Sequence, residues 1–102
     1  MQQAAKDPIP EIAQGLEERY RAWRDLGRQA LDQGDPEEAL WCLRRAVELC
    51  SDDPGTWQLL GRCFERIGES VRARRCYTVA SRQLLRSGRR SLIRGAHGDL
   101  AE

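Results

Sequence analysis

The sequence repeats itself in tandem. When residues 23–46 are aligned with residues 57–80, eight of the 24 pairs are identical, and residues at equivalent positions are called repeat partners. The identical pairs are Trp23 with Trp57, Leu26 with Leu60, Gly27 with Gly61, Arg28 with Arg62, Gly34 with Gly68, Ala39 with Ala73, Cys42 with Cys76 and Ala46 with Ala80. A fixed period of this kind indicates stacked supersecondary units, because each unit buries its apolar face only against its neighbours.

Within each period the apolar residues are spaced as on one side of a helix. Tyr20, Trp23 and Leu31 share such a side in a helix predicted from about residue 10 to 32, and further helices are predicted at about 36–50, 55–67 and 70–86. Residues 33–36 and 51–54 each combine an aspartate that suits a helix cap with a proline that suits a first turn. Gly34 suits the left-handed position that ends a helix, and the small Gly27 predicts a close approach of the helices in the first hairpin.

The W-x2-L-G spacing at residues 23–27 and 57–61, followed by the paired alanines, resembles the tetratricopeptide repeat over about residues 20–86. The resemblance implies an all-α fold of antiparallel helix-turn-helix hairpins, stacked in a short right-handed superhelix whose inner surface binds peptides. We expect an N-terminal extension at 1–9, a two-repeat domain at 10–86, and a basic C-terminal cap or flexible tail at 87–102.

In this family the first helix of each hairpin lines the concave groove. The resemblance therefore implies partner-binding positions at Arg21, Arg24, Arg28, Gln58, Arg62 and Arg66. Guanidinium groups on rigid helices favour capture of carboxylates, so the groove suits an acidic segment or a chain terminus. The alternative is a solvated face of weak ion pairs, because acids interleave with these arginines at helical spacing. The lysine and asparagine clamp of one chaperone-binding branch does not carry over, since the chain has no asparagine and one lysine.

Trp41 is a further candidate contact residue. It occupies the second helix at a position where the family is usually polar and where its repeat partner is Arg75. An exposed tryptophan on a helical array is typical of a binding hot spot. The alternative is that the N-terminal segment around Ile9 covers it.

Charge is distributed unevenly along the chain. Residues 1–53 contain 12 acids and 7 bases, whereas residues 54–102 contain 4 acids and 10 bases, and the stretch from Arg72 to Arg94 holds eight arginines and no acid. This stretch suits a solvated end helix, an acidic protein partner, or a nucleic-acid or anionic membrane surface. The opposite charges of the two halves also favour weak self-association of copies into a structural assembly.

Catalytic and metal chemistry have no recognisable motif. The four cysteines are spread along the chain without the paired short spacing of a zinc site, and buried, inert thiols are predicted at Cys42, Cys63 and Cys76. His97 stands without a catalytic set, and we expect no enzyme activity, cofactor or metal. No apolar run reaches the roughly 18 residues of a membrane span, and a cytoplasmic location is expected. The prediction is a protein-binding adaptor or small chaperone-like module.

Overall fold

The computed structural model describes the backbone of residues 15–101 and the side chains of residues 15–88. Four helices follow one another: α1 (Leu16–Asp32), α2 (Pro36–Leu49), α3 (Pro54–Ile67) and α4 (Ser70–Ala101). α1 packs against α2 and α3 packs against α4, so the chain forms two hairpins, and α3 joins them by packing on α2 and α1. The predicted all-α fold of stacked helical hairpins is confirmed.

The turns use the residues that the sequence predicts. Gly34 and Gly68, which are repeat partners, adopt positive φ angles of 84° and 94°, which only glycine takes without strain. The carboxylate of Asp35 accepts a hydrogen bond from the Glu38 N–H at 3.1 Å, and Asp53 accepts one from the Gly55 N–H at 2.9 Å. Each of these aspartates is followed by a proline at the start of its helix. The helix starts are thereby fixed by capping rather than by propensity alone.

Each hairpin closes over a glycine. A Cβ atom on Gly27 would lie 2.5 Å from Cγ of Leu43, and a Cβ atom on Gly61 would lie 2.6 Å from the ring of Tyr77. Leu43 and Tyr77 are themselves repeat partners, so the same contact is built twice. The missing side chain lets a large residue of the second helix lie directly on the backbone of the first.

Two groups of side chains form the core. The larger group lies between the hairpins and combines the fully buried Leu31, Leu43 and Cys63 with Leu60 and Phe64. The smaller group lies within the first hairpin: Tyr20, Trp23, Cys42 and Ala46. The larger group draws on all four helices, so neither hairpin completes its core alone.

The last helix is longer than predicted. We predicted an end near Arg86, but α4 continues through Ala101 and is 32 residues long, against 14 for α3. Gln83 is buried and donates to the Ser51 carbonyl at 2.7 Å, at the start of the second hairpin. The residues of α4 after Gln83 continue beyond this contact with Ser51. At the other end, the N-terminal extension at 1–9 and the predicted helix start near residue 10 lie outside the described residues.

We predict that Gly61→Ala lowers the free energy of unfolding by about 1 kcal/mol. Alanine favours the helix by up to about 1 kcal/mol, but overpacking against Tyr77 costs about 1–3 kcal/mol. The matched control is Gly88→Ala, because Gly88 is also helical and has open space where its Cβ would lie. Denaturant unfolding of both variants measures the difference. A Gly61→Ala protein at least as stable as Gly88→Ala would contradict the close contact.

Candidate protein-binding surface

α1 and α3 lie side by side and run in the same direction. Near their starts the hydroxyl groups of Tyr20 and Thr56 are 3.4 Å apart, and near their ends Nη1 of Arg66 donates to the Leu31 carbonyl at 2.7 Å. These contacts join residues 36 and 35 positions apart, so the register between the two helices is nearly constant. Arg28 of α1 and its repeat partner Arg62 of α3 therefore lie at similar heights on the two helices.

Asp53 holds the start of α3 against α1. One carboxylate oxygen accepts from Arg24 at 3.2 Å and from the Thr56 hydroxyl at 3.1 Å, while the other caps α3. The Arg24 guanidinium also lies over the Tyr20 ring, 5.4 Å from its centre. Both ion-paired side chains are about three-quarters buried, with 26% and 23% of their surface exposed. Arg24 is therefore engaged in joining the two hairpins.

The six candidate groove residues consequently fall into four groups. Arg24 and Arg66 make contacts between hairpins, and Arg21 pairs with Glu17 on its own helix at 2.6 Å. Gln58 is exposed on α3. Arg28 and Arg62 are exposed, and neither forms an ion pair or side-chain hydrogen bond with any residue in the described range. Arg28, Arg62 and Gln58 are thus the candidate residues that the packing of the described helices leaves exposed and without a side-chain partner.

The acid nearest to Arg62 in the next turn of α3 is already bound. The hydroxyl of Tyr77 donates to Glu65 at 2.7 Å. Burial and this carboxylate together raise the pKa of Tyr77 to about 12. Glu65 is thereby directed towards α4, and it forms no ion pair with Arg62.

Trp41 lies apart from the arginine pair. Its ring meets the buried Trp23 edge to face, with centres 5.3 Å apart, and is 41% exposed. The Arg45 guanidinium lies over both rings, at 5.4 Å from Trp41 and 5.7 Å from Trp23. Trp23 and Arg28 point about 140° apart around α1, so Trp41 does not join the arginine pair. The segment around Ile9 that was considered as its cover lies outside the described residues.

The thiols at Cys42, Cys63 and Cys76 are buried, as predicted, and Cys50 is half-buried. Burial raises the pKa of Cys42 and of Cys63 to about 11, with Glu38 adding to the effect at Cys42, and it also raises the pKa of Cys76. These thiols act as small apolar core residues. Among the described side chains, no three potential metal ligands converge.

Comparison with known proteins agrees with this geometry. A family model described as tetratricopeptide repeat matches residues 21–63, which cover most of the first hairpin and most of α3. Residues 21–63 are therefore similar to the tetratricopeptide repeat, in agreement with the stacked helical hairpins of the fold. Tetratricopeptide repeats are non-catalytic modules of protein–protein interaction, and the matched segment includes both Arg28 and Arg62. A search of curated proteins found no match.

Within the part of the chain that the structure describes, none of the helices combines the length and apolar character needed to span a bilayer.

We predict that a thiol reagent at pH 8 modifies Cys50 first and leaves Cys42, Cys63 and Cys76 protected until the protein unfolds. Burial blocks access to these three thiols and keeps them protonated. Their raised pKa values also mean that the unfolded chain loses protons first, so stability should fall as the pH rises from 9 towards 11. Mass spectrometry of labelled peptides measures the order in which the four cysteines react with the reagent. Rapid labelling of Cys63 in the native protein would contradict this core.

Proposed function

We propose that the chain binds an acidic segment of a protein partner across α1 and α3, with Arg28 and Arg62 as the two anchoring cations. The supporting observation is that these repeat partners are exposed, lie in register, and have no ion pair with another described residue. The guanidinium group presents donors in a planar fork that matches a carboxylate. The helices that carry them are held rigidly to each other by Asp53 and Arg66.

The spacing of the two helices suggests the form of the ligand. Packed helices lie about 8–10 Å apart, so the bases of the two arginines are separated by about that distance. A polyproline II segment repeats every three residues over about 9 Å, which places the side chains of residues i and i+3 on one face. We therefore propose a ligand with acids three residues apart that crosses the helices in an extended conformation.

A protein ligand is favoured over nucleic acid at the C-terminal arginines. Binding to single strands depends on aromatic side chains on which bases stack. Tyr77 is the aromatic residue of α4, and it is packed against the core between the hairpins with its hydroxyl bound to Glu65. Among the described side chains of α4, this partly buried ring is therefore the single aromatic surface beside the arginines, whereas single-strand binders stack successive bases on several.

The chain's free, buried cysteines suit the reducing cytoplasm, and we propose that the interaction takes place there.

The test uses a fluorescent peptide of repeated Glu-Pro-Pro units and a matched peptide with glutamine in place of glutamate. We expect the chain to bind the first peptide and not the second. The double variant Arg28→Glu with Arg62→Glu should lose the binding, because both anchoring charges are reversed. Fluorescence anisotropy measures each affinity, and circular dichroism confirms that the variant remains helical.

The matched control is Arg44→Glu with Arg75→Glu, which reverses two exposed charges on α2 and α4 and therefore changes the net charge equally. We expect this control to retain at least about half of the affinity, since surface charges away from a site act weakly. Equal losses in both double variants would show attraction to net charge alone and would refute the proposed site.

A further inference from the structure

An open groove of about 460 Å³ runs along the outer side of the second hairpin. Its lining includes Glu65, Ala73, Arg74, Tyr77 and Ser81. Their repeat partners in the first hairpin are Leu31, Ala39, Leu40, Leu43 and Val47. All five of the latter belong to the core between the hairpins, where α3 packs on the first hairpin with Leu59, Leu60, Cys63 and Phe64. We call the surface of the first hairpin on which α3 packs the α3 site. The groove is the corresponding surface of the second hairpin.

No described part of the chain fills this site. In the repeat register Gly88 corresponds to Pro54, where α3 begins, but α4 continues without a break through Ala101. The same register assigns Arg94 to the position that Leu60 holds on α3. A third helix with that residue would bring a cation to a groove that already contains Arg74 and Arg82. Like charges disfavour such a fold-back.

The groove differs from the α3 site in its charge. Arg74 and Arg82 stand where the first hairpin has Leu40 and Glu48. Both arginines are exposed, and neither makes an ion pair within the described residues. Glu65, which also lines the groove, accepts the hydrogen bond of Tyr77. The occupant that fits is therefore a helix with an acid opposite Arg74.

Helix α1 of the same chain carries a face with an acid at the required position. The α3 residues Thr56, Leu59, Leu60 and Cys63 correspond to Ala22, Asp25, Leu26 and Gln29 on α1. Asp25 replaces Leu59 on the inserted helix, and Arg74 replaces Leu40 on the receiving hairpin. Leu59 and Leu40 belong to the same core group between the hairpins, and the residues at the equivalent positions on the two outer surfaces, Asp25 and Arg74, carry opposite charges. The side chain of Asp25 is 62% exposed, and its one ion pair among the described residues is a long, 3.5 Å contact with its neighbour Arg24.

We propose that a second copy of this chain stacks on the groove, with its α1 placed as α3 is placed on the first hairpin and its Asp25 facing Arg74. Each copy then offers its groove to the next copy, so the contact is heterologous and extends in one direction. The acidic first half of one copy meets the basic second half of another. This surface is separate from the Arg28 and Arg62 pair, so stacking does not depend on the proposed peptide binding.

Sedimentation velocity of the full chain tests the stacking. We expect the mean mass to rise with concentration beyond a dimer at about 50 mM salt, and the association to weaken about tenfold or more at about 500 mM, because salt screens the pairing of exposed charges. Asp25→Arg alone and Arg74→Asp alone should each be monomeric, because each places like charges opposite one another. An equimolar mixture of these two variants should associate again, because every contact between unlike copies pairs opposite charges.

Arg75→Asp is the matched control, since it makes the same charge change on an exposed residue of α4 that does not line the groove. This variant should associate as the original chain does. Circular dichroism verifies that each variant is helical, so a monomer cannot be attributed to unfolding. A monomeric original chain at low salt, single variants that associate as strongly as the original, or a mixture of the two variants that stays monomeric would each overturn the proposal.

Discussion

The contact between a glycine of one helix and a large side chain of the next determines the geometry of this protein. Leu43 lies on Gly27 in the first hairpin, and Tyr77 lies on Gly61 in the second, at distances that leave no room for a methyl group. Because both hairpins close over a glycine in the same way, the second can stack on the first with nearly constant register. The arginine pair and the groove on α4 both follow from that repetition.

Polar contacts then fix how the hairpins are joined. Asp53 binds Arg24 near the start of α1 and α3, and Arg66 donates to the Leu31 carbonyl near their ends. A cation at the C-terminal carbonyls of a helix is favoured by the helix dipole. These contacts engage two of the candidate groove arginines in structure and leave Arg28 and Arg62 exposed. The binding proposal therefore depends on which arginines the packing leaves available.

The repeat made most of the fold predictable from sequence. The period located the hairpins, and the Gly34, Asp35 and Asp53 signals placed their turns because capping chemistry is local. The engagement of Arg24 and Arg66 was not predictable in the same way, since it depends on how one hairpin sits on the other. The length of α4 was also missed: the predicted helix ended near residue 86, whereas Gly88 lies inside α4, and a glycine inside a helix costs only about 1 kcal/mol and does not end it.

The most direct test of this architecture is a nuclear Overhauser measurement between Gly61 and Tyr77 in the labelled protein. With the Tyr77 ring packed on the Gly61 backbone, the structure predicts strong cross-peaks from the Gly61 Hα protons to the ring protons, and a ring-current shift of those Hα signals. Gly27 should show corresponding cross-peaks to the Leu43 methyl groups. Absence of both sets of cross-peaks in a folded, helical sample would contradict the hairpin geometry on which the proposed surfaces depend.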